Sequence, residues 1–242
     1  MTDKHLSSQF DNELAQLSSN LLAMGGLVEA QLRQALAALT NHSDEFAEAV
    51  LAGELRVNAM EVAIDDALTR IIARRQPAAV DLRLLLSIAR VTGNLERAGD
   101  EAAKIARMVR AIVNSGMPTL PLSDLQLACD LAARLIAQAL DAFARLDTIA
   151  AFATLKEDAA VDREFDGFVR KLITYMMEDP RAITPSLDLL FIAKAIERIG
   201  DHAKNIAECV IYVVKGADVR HRSLAETEAA ISAAPEAGMG RP

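Results

Sequence analysis

The fold of this chain is indicated by a stretch that occurs twice, ERAGDEAAKIA at residues 96–106 and ERIGDHAKNIA at residues 197–207. Seven of the eleven positions are identical, at a constant offset of 101 residues. The same offset aligns two further acidic positions with one another, Glu61 with Asp162 and Asp65 with Asp166. Repetition at a fixed period indicates a duplicated structural unit, so we predict two similar halves.

Composition and apolar spacing predict that both halves are helical. Apolar residues make up 52% of the 242-residue chain and aromatic residues only 4%. The abundant Ala and Leu favour helices, whereas aromatic and β-branched residues favour strands. Apolar residues recur every three or four positions from Phe10 to Leu39, which is helical periodicity. The predicted helices are residues 8–40, a second that starts after Ser43 and ends near Pro77, and then 80–114, 122–147, 149–178 and 186–215.

Glycine and proline positions divide the chain into two domains. The clearest break is the stretch 115–121, which contains both residue types and is predicted to be a linker. We predict an N-terminal three-helix bundle at residues 1–114 and a C-terminal three-helix bundle at 122–215. Residues 216–242 show no sustained periodicity and are predicted to be a loosely ordered tail. The predicted fold class is all-α, with six long helices in two homologous bundles.

Charge, cysteine content and hydropathy exclude several classes of function. The net charge of −8 argues against nucleic acid as a partner, because phosphate backbones recruit basic surfaces. Cys129 and Cys209 lack the spacing of a metal-ligand pair and are expected to be small buried apolar residues. No apolar run approaches a membrane-spanning length, and residues 1–10 lack the apolar core of a signal peptide. We therefore expect a cytoplasmic protein.

The acidic motifs place pairs of carboxylates on single helix faces. The pattern Glu/Asp-x-x-x-Asp occurs twice in each half, and residues four apart on a helix are neighbours. Two such pairs on antiparallel helices could bring four carboxylates together, and either a cation or the adjacent Arg97 and Arg198 would have to compensate their charge. Gly99 and Gly200, inside the motifs, leave room for an ion or a neighbouring helix. Such oxygen ligands suit Mg²⁺, Mn²⁺ or iron better than a closed zinc site.

The candidate metal ligands are the oxygen-bearing side chains of these motifs and their continuation along the last helix. In the first half, Lys104 and Arg107 take the places of Asn205 and Glu208, and they could neutralise the acidic residues without metal. In the second half, Asp158 extends the acidic stripe by one helical turn. The predicted ligands are Asp162, Asp166, Glu197, Asp201, Asn205 and Glu208 in the second half, and Glu61, Asp65, Glu96 and Asp100 in the first.

No other pattern predicts a catalytic residue or a cofactor-binding residue. His202 follows Asp201, but the equivalent position in the first half is Glu101, so we predict that His202 is a polar surface residue. The chain has neither a glycine-rich phosphate loop nor a recognisable nucleophile–base set.

The sequence resembles the PhoU family over nearly its whole length. The resemblance implies two three-helix bundles, which often dimerise, and metal ions (Mg, Mn, Fe or Zn) bound through the acidic motifs named above. It implies no enzyme activity, but a negative regulator of the phosphate-starvation response. That regulator links the ATPase subunit PstB of the phosphate ABC transporter to the membrane sensor kinase PhoR, and it meets the membrane only through such partners. The segments that carry the resemblance are 75–83, 95–100 and 196–208, with 10–14 and 212–216 in support.

Three positions in the first half depart from the family pattern. Ala98, Glu101 and Lys104 stand where the family often has Ile, His and Asn. Two alternative functions remain open. One is a carboxylate-bridged di-metal enzyme, although none of the four histidines has the Glu-x-x-His spacing of such sites. The other is a metal-free helical scaffold in which arginines neutralise the acidic stripes.

Overall fold

A computed structural model of the chain describes residues 2–77, 79–115 and 122–233, and this part contains seven α-helices and no strand. The all-α prediction is confirmed. Most of the predicted linker (116–121) and the end of the predicted tail (234–242) lie outside the described residues. The helices are α1 (Thr2–Asn41), α2 (Asp44–Arg75), α3 (Ala79–Ser115), α4 (Ser123–Arg145), α5 (Thr148–Glu178), α6 (Ile183–Lys215) and α7 (Leu224–Ser232).

The first six helices form two three-helix bundles that share one continuous core. Helices α1, α2 and α3 pack against one another, and so do α4, α5 and α6. The bundles meet where α3 packs on α6 and where α1 packs on α4. Near the start of α3, Arg83 Nε donates to the carbonyl of Val213 near the end of α6, at 3.4 Å. Helices α3 and α6 therefore run antiparallel along the seam between the halves.

Local capping fixes where α2 begins and ends. Ser43 Oγ accepts a hydrogen bond from the Phe46 amide at 3.4 Å, as expected of a helix N-cap. At the other end, Gln76 has a left-handed φ of 46° and its amide bonds to the Ile72 carbonyl at 3.3 Å. Because Gln76 precedes Pro77, the helical conformation is sterically disfavoured there, and the helix ends at Arg75.

Helix α6 begins three residues earlier than predicted, at Ile183 instead of residue 186. Pro185 lies in the first turn, where the backbone amides have no intrahelical acceptor, so proline is tolerated there. The 3₁₀ turn Pro180–Ala182 leads directly into this helix.

Part of the predicted tail is helical, since the structure places helix α7 at Leu224–Ser232. Ser223 and Glu226 form a capping box, in which the Ser223 amide donates to Glu226 Oε2 at 2.8 Å and the Glu226 amide donates to Ser223 Oγ at 3.3 Å. Thr227 is buried, and Glu228 lies 3.8 Å from Lys156 on α5. A short helix held by its cap and one packed face has too few turns to show apolar periodicity.

Both cysteines are free and buried, as predicted. Burial raises the pKa of each thiol to about 12. In the described part of the chain, no helix combines the length and the apolar character that crossing a membrane requires.

Candidate functional site

The first acidic cluster, defined as Glu61, Asp65, Glu96 and Asp100, lies where α2 packs on α3. Burial is the largest cause that raises the pKa of Glu61, followed by the negative charges of Asp65 and Asp100. Burial also raises the pKa of Glu96, with Asp100 and Glu61 adding to the effect. The positive charge of Arg97 acts in the opposite direction on both Glu61 and Glu96. The structure thus brings the two predicted acidic pairs of this half within electrostatic range of each other.

The second acidic cluster, defined as Asp158, Asp162, Asp166, Glu197 and Asp201, lies at the equivalent place between α5 and α6. Burial raises the pKa of Asp201, and the charges of Glu197, Asp158 and Asp162 raise it further. The pKa of Asp162 is likewise raised, first by burial and then by Asp158. Asp158 is itself buried. The negative charges of this cluster thus make Asp162 and Asp201 harder to ionise.

The distribution of counter-charges differs from the expectation that Lys104 and Arg107 would neutralise the first cluster. Lys104 Nζ pairs with Glu101 at 2.7 Å, and Arg107 pairs with Glu54 at 3.2 Å. The second cluster instead has two lysines of its own. Lys204 Nζ lies 3.2 Å from Asp158 Oδ2, and Lys194 Nζ lies 2.6 Å from Glu197 Oε2.

The predicted ligands of the second half do not all face the same way. Asn205 Nδ2 donates across the seam to Asn94 Oδ1 on α3, at 3.1 Å. Glu208 has its charged neighbours at Lys204, Asp218, His221 and Arg220, and not in the acidic cluster. Among the residues that the structure describes, no three Asp, Glu, His or Cys side chains are close enough to hold one metal ion together.

The donor chemistry of the second cluster nevertheless fits a hard cation. Its ligands are all carboxylate oxygens, which Mg²⁺ and Mn²⁺ prefer. Glu197 Oε2 is buried, and the Lys194 ammonium lies 2.6 Å from it. A metal ion at this oxygen would therefore compete with Lys194 for the carboxylate charge.

The glycines of the repeated motif serve helix packing. A Cβ on Gly99 would lie 3.3 Å from Val57 Cγ1 on α2. A Cβ on Gly200 would lie 3.4 Å from Val161 Cγ1 on α5 and 3.6 Å from Asp158 Oδ1. Both distances to the valine carbons lie at or just below the lower limit of ordinary van der Waals contact with the helix that carries the other acidic pair. Each glycine therefore lets the two acidic helices approach closely.

A cleft of about 720 Å³ lies along the seam between α3 and α6, and it receives Asp100 from the first half and Asp201 from the second. Glu101 is buried there and binds two cations, Lys104 at 2.7 Å and Arg198 of the other half at 3.0 Å. Glu101 is not among the site residues predicted from the sequence. The sequence feature that could have identified Glu101 is the change of charge at this position of the repeat, from Glu101 to His202.

The prediction that His202 is a surface residue is wrong. His202 is half-buried in the seam, and its Nδ1 lies 3.0 Å from Asn94 Oδ1, which also accepts the bond from Asn205. Because an amide oxygen only accepts, Nδ1 carries the proton of this contact. Burial lowers the pKa of His202 to about 4, and the charges of Arg97, Arg198 and Lys104 contribute, while Glu101 opposes them.

We expect that Asp201→Asn stabilises the metal-free protein at neutral pH by a few tenths to about 1 kcal/mol, because one of several repelling charges is removed. The pKa of Asp201 is raised in the folded state, so its contribution to stability is fully present below the unfolded pKa and is lost as pH rises through the folded pKa. The advantage of the variant should therefore disappear as pH falls to about 4. Urea unfolding of the variant and of wild type, with a chelator present, measures this difference in stability. A variant less stable than wild type at pH 7 would contradict it.

Comparisons with known proteins cover nearly the whole chain. The family model of the PhoU domain matches twice, at residues 21–109 and 125–210. The phosphate-specific transport system accessory protein PhoU homolog of Pseudomonas aeruginosa is 46% identical over 220 residues, which is 91% of each chain. The Escherichia coli K12 protein of that name, PhoU, is 45% identical over 219 residues, 90% of each chain.

Two solved structures are similar to this one. The crystal structure of PhoU from Pseudomonas aeruginosa superposes with a TM-score of 0.83 at 45% identity, over 86% of this chain and 100% of that one. The phosphate transport system regulatory protein PhoU from Streptococcus pneumoniae gives a TM-score of 0.80 at 29% identity, over 87% of this chain and 99% of that one.

Proposed function

Because the chain belongs to the PhoU family, as its sequence resemblance indicated, we propose that it regulates phosphate transport and represses the phosphate-starvation response, without catalysing a reaction. The observation that carries this proposal is the match of the PhoU domain to both halves. Relatives that are 45–46% identical over nine-tenths of the chain are named as accessory proteins of the phosphate-specific transport system.

The proposed mode of action is recognition by rigid helical surfaces. In this proposal the chain acts in the cytoplasm, as a dimer, between the transporter ATPase PstB and the sensor kinase PhoR. The single core across both bundles supports a rigid adaptor, since α3 and α6 are bonded along their length and do not form a flexible hinge. When phosphate is plentiful, the adaptor would bias the kinase towards its inactive state.

We further propose that the second acidic cluster binds a divalent or iron-type cation. Glu197, Asp201, Asp162, Asp166 and Asp158 would supply its oxygen ligands, and side chains of this cluster would have to rotate towards the ion, because no three of them are close enough in the described structure. When bound, the cation would supply positive charge that lowers the mutual repulsion of these carboxylates. The raised pKa values of Asp201 and Asp162, which reflect burial and several negative charges in one place, support this assignment. The first acidic cluster has the same oxygen chemistry and would bind a cation in the same way.

A metal-free scaffold is the second candidate, and one observation favours it. Lys204 and Lys194 lie within 3.2 Å and 2.6 Å of Asp158 and Glu197, so the chain supplies part of the counter-charge itself. On this account the acidic clusters are ion-paired structure, and the regulatory role is independent of metal.

A complementation experiment tests the regulatory role. In a strain that lacks this chain, we expect a reporter of a phosphate-starvation gene to be active in high phosphate, and the wild-type chain to restore its repression. The role is refuted if the deletion strain keeps normal repression. Exposed Leu55→Ser, outside the acidic clusters, serves as the control variant that should also restore repression.

Metal content of the purified chains separates the two accounts of the acidic cluster. Mass spectrometry should find metal in wild type after loading with Mn²⁺, Fe²⁺ or Zn²⁺, and should find it lost from the double variant Glu197→Ala/Asp201→Ala at unchanged helicity. If neither chain retains metal, the metal-free scaffold is the better account. A double variant that lacks metal but still represses the reporter would show that metal serves stability and not regulation.

A further inference from the structure

An apolar groove with a basic rim lies open between the end of α3 and the start of α6. Its floor is formed by Met108 on α3 and by Phe191 and Ala195 on α6, and its volume is about 310 Å³. Phe191 is 59% exposed, which is unusual for a phenylalanine in a well-packed helical protein. We call this feature the open groove. Within the described part of the chain, only α3 and α6 line it.

The internal repeat supplies a second groove with which to compare it. The offset of 101 residues carries Phe191, Ala195 and Met108 onto Arg90, Asn94 and Cys209, which line a groove on the other side of the seam. There, Arg220 and His221 of the loop after α6 close one side. The loop after α6 thus borders one side of this groove, which we call the covered groove, whereas among the described residues only α3 and α6 line the open groove.

The two grooves have diverged in chemistry. The covered groove is polar, with Arg90 over the Tyr212 ring at 5.1 Å and Asn94 in hydrogen bonds to His202 and Asn205. The open groove has an apolar floor instead. Its apolar surface continues along α6, because Leu187 and Ile183 precede Phe191 by one and two helical turns and are 41% and 42% exposed.

The rim of the open groove is positively charged, although the whole chain carries −8. Lys104, Arg107, Lys194 and Arg198 line it, and each side chain is about half-exposed. These four cations share three carboxylates, since Glu101 serves both Lys104 and Arg198. Of these carboxylates only Glu101 lines the open groove among the described residues, so the lining itself is net positive beside an exposed apolar floor.

We propose that the open groove docks an acidic segment of a partner protein, which places a large apolar side chain against Phe191 and carboxylates against the basic rim. Charge complementarity selects this occupant, because four cations and one carboxylate line the groove among the described residues, and a basic segment would be repelled. The inference rests on the proposed function, because it gives the regulator a contact surface for a component of the transport system.

Fluorescence anisotropy with a synthetic peptide tests the proposal on the purified full chain. The probe is a fluorescein-labelled acidic peptide in which glutamates surround two leucines at positions i and i+4. We expect binding with a Kd on the order of 10 µM, weakening as salt is added. Two control peptides, one with lysines for the glutamates and one with serines for the leucines, should not bind.

Variants of the chain locate the peptide. Phe191→Ser should weaken binding about tenfold or more, because the main apolar contact is lost. Lys194→Glu should weaken the binding of the acidic peptide and strengthen the binding of the lysine peptide. Leu55→Ser is the matched control, since Leu55 is 72% exposed on α2 and does not line the open groove. Circular dichroism confirms that each variant remains folded.

Several outcomes would overturn the proposal. These are no peptide binding at millimolar concentrations of the chain, equal affinity for the acidic and lysine peptides, or an unchanged affinity of Phe191→Ser for the acidic peptide. If light scattering shows that Phe191→Ser changes the number of subunits, the groove joins copies of this chain. If Met117→Ser/Leu120→Ser strengthens peptide binding, the chain's own linker competes for the open groove. None of these outcomes touches the reporter result, so the proposed function and this inference fail separately.

Discussion

Replacing Leu95 with alanine is expected to lower the free energy of unfolding by about 2–5 kcal/mol. Leu95 is fully buried on α3, the helix that packs against α1 and α2 within its bundle and against α6 across the seam. Truncation removes apolar contacts and leaves a cavity that well-packed helices cannot close completely. The repeat-equivalent residue Ile196 is also buried, so a comparable loss is expected when it is replaced by alanine.

Urea unfolding followed by circular dichroism measures the effect of Leu95→Ala. Leu55→Ala is the matched control, because Leu55 is 72% exposed and its truncation should change stability by no more than about 0.5 kcal/mol. The assignment of Leu95 to the core would be contradicted by a loss no greater than that of the control. The two halves share one core, so both should unfold in a single transition.

The second large effect concerns His202 and should appear as a pH dependence of stability. The folded state lowers the pKa of His202 from its ordinary value of about 6.5 to about 4. Its contribution to stability is therefore fully present above the unfolded pKa and is lost as pH falls through the folded pKa. Between pH 7.5 and pH 5, wild type should lose up to about 2 kcal/mol relative to His202→Gln, which cannot titrate.

The comparison with His202→Gln is essential because the acidic clusters act in the opposite direction. The pKa values of Glu61, Glu96, Asp162 and Asp201 are raised, so these groups favour the folded state increasingly as pH falls. Unfolding at several pH values with a chelator present, done on both chains, isolates the histidine. The imidazole resonances of His202 give its pKa directly, and a value near 6.5 would refute the prediction.

The architecture could be predicted from the sequence because it depends on periodicity and on the repeat. The spacing from Phe10 to Leu39 and the offset of 101 residues both concern many positions, and single exceptions do not disturb them. The acidic pairs were predictable for the same reason. Residues four apart on a helix share a face whatever surrounds them, and the structure keeps Glu61 near Asp65 and Asp162 near Asp158 as this rule requires.

Contacts between the halves could not be predicted, because they depend on which helix faces meet. His202 follows an exposed-looking acidic motif, and only the packing of α6 on α3 places it beside Asn94. The same packing directs Arg198 to Glu101 on α3, whereas Lys104 pairs with Glu101 on its own helix at i,i+3 spacing. Long flexible cations can reach several carboxylates from one backbone position, so sequence spacing does not determine their partners.

The pairing of Glu101 with Arg198 also constrains the history of the molecule. If a single bundle paired with an identical copy, the positions equivalent to 101 and 202 would carry the same residue. A glutamate at both positions would then give the two arginines, Arg97 and Arg198, the same partner. Joining two copies in one polypeptide removes that requirement. Position 101 carries glutamate where position 202 carries histidine, and among the described residues a loop borders the covered groove while only α3 and α6 line the open groove. Covalent duplication thus allows a symmetric framework to present two unlike surfaces, which a true homodimer of half-size subunits could not do.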